Sequence, residues 1–279
     1  MRRIPSARDM QSQALEWRAS GKRIAFVPTM GYLHEGHLRL VDEAKRRADI
    51  VVMSIYVNPT QFGPLEDFEK YPRDLERDAA MAEARGVDCL FIPDSADIYP
   101  PGHQTFVTVE DLSRGLCGVF RPGHFRGVAT VVAALFLIVQ PHVAVFGEKD
   151  YQQLKVIQRM ALDLHMPVEV VGLPTVREAT GLAMSSRNAY LSEAEKLEAL
   201  KLGRAILLAQ DLARGGEKRV AVIAEKGRDL LAEGGDLRIQ YAEIVDAETL
   251  ASLEVLDKPA RLILAVYINK KRLIDNGPL

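Results

Sequence analysis

Between residues 24 and 171 the chain keeps returning to one pattern: a short run of β-branched and apolar residues, a polar segment, then a stretch of helical periodicity. The apolar runs lie at 24–27, 50–57, 89–92, 143–146 and 168–171. The helical stretches lie at 37–48, 72–85, 127–139 and 151–165, the first with Leu38, Leu40, Val41 and Ala44 on its apolar side and the last with Leu154, Ile157, Ala161 and Leu164. Such alternation builds βαβ crossovers and predicts an α/β fold, a Rossmann-like doubly wound parallel sheet with helices on both faces. In an open sheet of this kind ligands bind beyond the carboxyl ends of the strands, where the strand order reverses.

Past Arg187 the pattern changes. Two amphipathic helices are expected at 193–213 and 220–231, separated by Arg214-Gly215-Gly216. The turn Glu233-Gly234-Gly235-Asp236 then leads to two strand-like runs at 237–245 and 262–268. The expected division is residues 1–176 as the Rossmann-like domain and 177–279 as a smaller C-terminal α+β domain, with the segment Met184-Ser185-Ser186-Arg187 near its start.

Composition narrows the functional classes. A formal charge of −2 over 279 residues and the lack of a long basic run argue against a nucleic-acid groove, which needs clustered cations. Lys45-Arg46-Arg47 and Lys270-Lys271-Arg272 read as solvated faces. The apolar stretch 128–139 is too short to span a bilayer and reads as a buried core helix. The polar residues after Met1-Arg2-Arg3 do not make a signal peptide, and two cysteines, Cys89 and Cys117, make no disulfide framework. A cytoplasmic protein without membrane or nucleic-acid partners is expected.

Polar segments follow the predicted strands, and the topology would gather them on one edge of the sheet. In the first, His34-Glu35-Gly36-His37 opens a helix. Two imidazoles three residues apart lie on one face of the first turn, where unpaired backbone N–H groups and the positive end of the dipole favour a phosphate. Gly36 lets a ligand approach the backbone, and Glu35 complements the dipole. The plain alternative is a solvent-facing helix start. A metal site is disfavoured because the zinc-protease spacing and a nearby third ligand are missing.

Asn58-Pro59-Thr60-Gln61-Phe62 places amides directly after a strand, suited to a small polar substrate or simply to a proline turn. In Phe146-Gly147-Glu148-Lys149-Asp150-Tyr151-Gln152-Gln153, Lys149 offers a flexible cation to phosphate, while Asp150 and Gln153 offer partners for hydroxyl groups. A capping Asp150 beside a surface lysine is the alternative. Met184-Ser185-Ser186-Arg187 supplies two hydroxyls and a guanidinium, a clamp for a triphosphate or an ordinary serine turn. Arg121 and His124 stand before the apolar helix, equally compatible with a phosphate contact and with a helix start. His103, His142 and His165 are expected to be structural or exposed. The dinucleotide glycine fingerprint and the P-loop are both missing.

Taken together, Val27-Pro28-Thr29-Met30-Gly31-Tyr32-Leu33-His34-Glu35-Gly36-His37, the Asn58 and Phe146 segments, Arg121-Pro122-Gly123-His124-Phe125-Arg126-Gly127 and Ala183-Met184-Ser185-Ser186-Arg187-Asn188 resemble the signature set of the pantoate–β-alanine ligases, members of the nucleotidyltransferase superfamily. The resemblance runs from about residue 22 to Arg272-Leu273-Ile274-Asp275-Asn276. The serine loop lacks the lysines of the aminoacyl-tRNA synthetase version.

What the resemblance implies is a cytoplasmic ligase that forms pantoyl adenylate from (R)-pantoate and ATP with Mg2+, then transfers the pantoyl group to β-alanine. It implies ATP as substrate, no tightly bound organic cofactor, no structural metal, and a homodimer. It assigns ATP to Met30, Gly31, Tyr32, Leu33, His34, Glu35, Gly36, His37, Gly147, Glu148, Lys149, Asp150, Val176, Met184, Ser185, Ser186 and Arg187. His37 would be the proton donor, or would act with His34, Lys149, Ser185, Ser186 and Arg187 in stabilising triphosphate charge. Pantoate falls to Gln61 and Gln153, and β-alanine to Gln61. Asn58, Tyr71, Arg121 and His124 are further candidates, and the loop 62–70 is a candidate cover. The competing functions are an adenylyltransferase with another acceptor and a non-catalytic nucleotide-binding protein.

Overall fold

The structure is a computed structural model and describes residues 1–279 except Leu65, Asp67 and Asp236. The expected turn at 233–236 and the loop 62–70 therefore lie partly outside the described residues.

The elements run β1 (Arg2–Ile4), α1 (Ala7–Ala19), β2 (Ile24–Thr29), α2 (Glu35–Arg47), β3 (Ile50–Ile55), α3 (Leu75–Arg85), β4 (Cys89–Phe91), α4 (Ser95–Ile98), α5 (Cys117–Phe120), α6 (His124–Val139), β5 (Val143–Gly147), α7 (Tyr151–Asp163) and β6 (Glu169–Leu173). There follow α8 (Glu193–Arg214), α9 (Val220–Ala232), β7 (Leu237–Asp246), β8 (Ala260–Ile268) and β9 (Lys271–Pro278). No helix among the described residues is long and apolar enough to cross a membrane.

Packing divides the chain into two compact units. The first holds Met1–Arg114, Gly118–Glu148 and Gln153–Pro174, and the second holds Gly115–Cys117, Lys149–Gln152 and Thr175–Leu279. This differs from one cut at 176/177, because Gly115–Cys117 and Lys149–Gln152 go with the C-terminal residues. The Lys149 carbonyl and the Tyr151 ring bond to residues of the C-terminal sheet, and the Gln152 amide bonds to Gly115 and Cys117.

In the first unit, the described residues form a six-stranded, all-parallel sheet in the order β1-β4-β3-β2-β5-β6. The chain moves outward from β2 on one side and resumes at β5 on the other, so the order reverses between these two central strands. Their side chains are almost wholly buried, from Ile24 to Val27 and from Val143 to Val145. This matches the expectation for strands covered on both faces. α6 is buried along most of its length, as the run 128–139 predicted, with Arg126 and Leu137 exposed.

β1 and α1 are additions to the expected pattern. Only Met10 and Ala14 of α1 are buried, and β1 carries two arginines on an edge strand. Neither leaves the apolar periodicity by which such elements are read.

In the second unit, three described strands form an antiparallel sheet in the order β7-β8-β9. α8 and α9 pack on it through Leu202, Ile206, Ile223 and Leu231. β9 is a third strand where two were expected, because Lys271, Arg272, Asp275, Asn276 and Gly277 interrupt its apolar signal.

Candidate active site

The turn after β2 is built from backbone constraints. Thr29 Oγ1 donates to the Ser54 carbonyl at 2.7 Å and accepts the Gly31 N–H at 3.2 Å. Gly31 has φ +83°, and a Cβ there would stand 3.0 Å from the Ile55 side chain and 3.1 Å from Asp78 Oδ2. Glycine is therefore required on two counts. Asp78 of α3 then holds the next two residues, accepting the Tyr32 and Leu33 N–H groups at 2.6 and 2.7 Å. Burial pushes its carboxyl up, against the pull of these N–H groups and of Arg77. Arg77 also donates to the Leu33 carbonyl and lies over the Tyr32 ring. Sequence reading missed Asp78, since a carboxylate on an amphipathic helix looks like a surface charge until the loop above it is placed.

His34 is the N-cap of α2. Its Nδ1 accepts the Gly36 N–H at 3.1 Å, and its carbonyl accepts the His37 and Leu38 N–H groups. His37 Nδ1 accepts the His34 N–H at 3.4 Å, which completes a reciprocal capping box, and the two rings stack with centroids 4.0 Å apart. The helix start expected to offer bare N–H groups is thus capped by its own histidines at Gly36 and His37. With both Nδ1 atoms placed as acceptors, the neutral tautomer that fits each ring has its proton on Nε2. The Glu35 carboxylate pairs with Arg39 and Arg85.

Beyond β3, Asn58 is buried and its polar atoms are committed. Oδ1 caps the turn Pro59–Gln61 and accepts the Tyr99 hydroxyl, while Nδ2 donates to Gln61 Oε1 at 3.1 Å and to the Gly127 carbonyl at 3.2 Å. This orients the Gln61 amide, whose NH2 group turns to Met30 Sδ at 3.1 Å. The Gln61 carbonyl accepts from His124 Nδ1 at 2.8 Å and from Arg121 Nη2 at 3.2 Å. Arg121 also grips Glu66 through two contacts of 2.6 Å and approaches His124 Nε2 at 3.1 Å. Since guanidinium only donates and a carbonyl only accepts, His124 is the neutral Nδ1–H tautomer. Burial opposes the Glu66 charge, but the Arg121 bonds outweigh it and hold the carboxyl below its ordinary value. Arg121 and His124 therefore hold Gln61 in place in this conformation.

Gly127 lets α6 approach: a Cβ would come within 2.6 Å of the Thr60 carbonyl carbon and 2.8 Å of Gln61 N. Tyr71 is buried and packs edge-on to Phe62, which packs likewise on Phe68.

Gly147 ends β5 at the reversal point, and Glu148 follows it. Gln153 lies in the first turn of α7 in the same unit. Lys149 and Asp150 belong to the second unit, with Lys149 Nζ 3.9 Å from Asp150 Oδ2.

In that unit the Met184 N–H donates to the Val176 carbonyl at 2.9 Å, and Arg177 bridges Ala183, so Val176 and Met184 close a hairpin. Ser185 caps the turn Ser186–Tyr190 by accepting the Arg187 N–H. Asn188 ties this turn back to Glu178 and to the Ala183 carbonyl. The serine-turn reading and the site reading thus apply to the same residues. Among the described residues, no three His, Cys, Asp or Glu side chains cluster as a metal site would require.

A parallel sheet that reverses beside a histidine-capped helix start is consistent with the nucleotidyltransferase superfamily of α/β proteins. A family profile described as pantoate-beta-alanine ligase matches residues 2–278. The pantothenate synthetase of Geotalea uraniireducens (strain Rf4) is 54% identical over 276 residues, 99% of this chain and 98% of that protein. The crystal structure of pantothenate synthetase from Thermus thermophilus superposes with a TM-score of 0.94 at 48% identity, covering 99% of both chains. The pantoate-beta-alanine ligase of Francisella tularensis, complexed with β-γ ATP and β-alanine, gives 0.82 at 33% identity over 99% of this chain and 97% of that one. The chain belongs to the pantoate–β-alanine ligase family.

Proposed function

We propose that the chain joins (R)-pantoate to β-alanine using ATP, through a pantoyl adenylate. A pantoate carboxylate oxygen attacks the α-phosphorus, the bond to the β-phosphate oxygen breaks, and pyrophosphate leaves. The neutral β-alanine amine then attacks the acyl carbon, loses a proton, and AMP departs. Neither step asks the protein for a covalent nucleophile; alignment and charge stabilisation suffice.

For the nucleotide we assign Met30, Gly31, Tyr32, Leu33, His34, Glu35, Gly36, His37, Gly147 and Glu148 in the sheet unit, and Lys149, Asp150, Val176, Met184, Ser185, Ser186 and Arg187 in the C-terminal unit. His34, His37, Lys149, Ser185, Ser186 and Arg187 carry the charge stabilisation. Mg2+ enters with the phosphates as part of the substrate, in keeping with its preference for phosphate oxygens and water. Gln61 and Gln153 hold pantoate, Gln61 also serves β-alanine, and Asn58, Arg121 and His124 set Gln61. The working enzyme is a cytoplasmic homodimer, a state that light scattering checks; the buried free thiols of Cys89 and Cys117 suit that compartment.

The observation that supports this reading best is the Gln61 amide, whose oxygen is engaged by Asn58 and whose NH2 group lies beside Met30 at the head of the histidine loop. It offers a hydrogen-bond donor for a carboxylate or hydroxyl next to the proposed phosphate position. An AMP-release assay with pantoate and β-alanine, supplied singly and together, tests it. Sustained release is expected only with both, and release driven by another acceptor overturns it.

A further inference from the structure

The β9 pair Asp275-Asn276 has no role in the reaction as described so far, yet its side chains reach two of the segments assigned to ATP. In register with Leu264 and Ile263 of β8, the two residues point to opposite faces of the sheet, and both are buried.

On one face, Asp275 takes Arg177 bidentately at 2.7 and 3.0 Å. The same guanidinium donates to the Gly181 carbonyl at 3.1 Å, so it closes the hairpin whose far strand ends at Met184. Asn188, in the middle of the serine turn, is fastened to that hairpin through Glu178 and Ala183.

On the opposite face, Asn276 Nδ2 donates to the Lys149 carbonyl at 2.9 Å, and Arg261 donates to Asn276 Oδ1 at 2.7 Å. Since a guanidinium cannot accept, the amide has only this orientation. Arg261 in turn lies over the Tyr151 ring at 3.8 Å, and the Tyr151 hydroxyl donates to the Ala247 carbonyl at 2.8 Å. The Asn276 N–H completes the link by donating to Asp275 Oδ1 at 2.8 Å.

We infer that Asp275 and Asn276 are positioning residues that fix the Lys149 turn and the Met184-Ser185-Ser186-Arg187 segment in one register. The cation at one end and the hydroxyls and guanidinium at the other then have a set separation before any nucleotide binds. A preset spacing lowers the ordering cost of gripping a flexible triphosphate. The inference rests on the ATP roles proposed for Lys149 and the serine segment.

Asn276→Asp tests it, because this isosteric change keeps an acceptor for Arg261 while removing the donor to Lys149. We expect KM for ATP to rise or kcat to fall about tenfold, the scale of one lost buried hydrogen bond, with KM for pantoate unchanged. In a Lys149→Ala background the same change should cost nothing more, since Asn276 acts through Lys149. Val266→Ala, in the core of the same sheet, should lose stability while keeping KM for ATP. Should Asn276→Asp not fold, Arg261→Lys replaces it with the same expected split. Unchanged ATP kinetics in Asn276→Asp, or losses that add to those of Lys149→Ala, overturn the inference and leave the function standing. Unchanged ATP kinetics in Lys149→Ala overturn both the inference and the assignment beneath it.

Discussion

His34 and His37 cap the same helical turn from its two ends, each imidazole Nδ1 accepting a backbone N–H of the segment that holds the other ring or follows it. An imidazole whose Nδ1 accepts is neutral, and a neutral ring presents Nε2–H as a hydrogen-bond donor to phosphate. It does not readily give up that proton near neutral pH. Replacement of His37 by Gln is expected to lower kcat by about 10²-fold, the scale of one lost charge-stabilising donor, and to leave the shape of the pH–rate profile unchanged. Loss of an ionisation from that profile would make His37 a true general acid.

The cap also has a structural consequence. His34→Ala removes the acceptor for the Gly36 N–H and should lower unfolding stability by about 1 kcal/mol, read from urea midpoints. An unchanged midpoint would mean that the capping contact contributes nothing.

Asp78 is the hidden support of the same loop. Asn in its place offers a single carboxamide oxygen to two N–H groups, the part-buried one of Tyr32 and the buried one of Leu33, and leaves one facing another donor. A loss of about 1–3 kcal/mol is expected for that unpaired group, together with reduced kcat, because the loop leads directly into His34. Denaturation and steady-state kinetics measured on one preparation check both. A fully stable, fully active Asp78→Asn enzyme contradicts the clamp.

How much of this was legible in the sequence depends on what kind of signal each feature leaves. β2, β3, β5 and α6 announce themselves because burial on both faces demands uninterrupted apolar runs. β1, α1 and β9 do not, being short, largely exposed or broken by polar residues with tertiary partners. The histidines could be read as a helix start, but their reciprocal cap could not, since it depends on ring orientation. Asp78, Arg121 and Glu66 act through residues distant in sequence, and no local spacing encodes such a contact.

Gly127 tests the substrate side. Alanine there drives a methyl group into the Thr60–Gln61 backbone, so Gln61 must shift. Gly127→Ala should cost about 1–3 kcal/mol of stability and raise KM for pantoate about tenfold while leaving KM for ATP nearly unchanged. Equal effects on the two substrates would remove Gln61 from the pantoate site.

A pH effect on stability follows from His142, whose Nδ1 accepts the N–H of Ile24 at the start of β2 at 3.0 Å. Burial and the nearby charges of Arg18 and Arg23 hold its pKa below the ordinary 6.5. The unfolded chain therefore takes up this proton first as pH falls. The contribution is fully present above about pH 6.5 and is lost as pH drops from there through the folded-state value. His142→Asn, which keeps an acceptor but does not titrate, should flatten the fall in urea midpoint across that window; an unaltered slope would assign the fall to other groups.

Pantoate is expected to be activated on the α-phosphate before β-alanine takes part. Isotope exchange between pyrophosphate and ATP measures that half-reaction directly. Exchange that requires pantoate and proceeds without β-alanine is the expected result. Exchange that ignores pantoate, or that appears only when β-alanine is added, contradicts it.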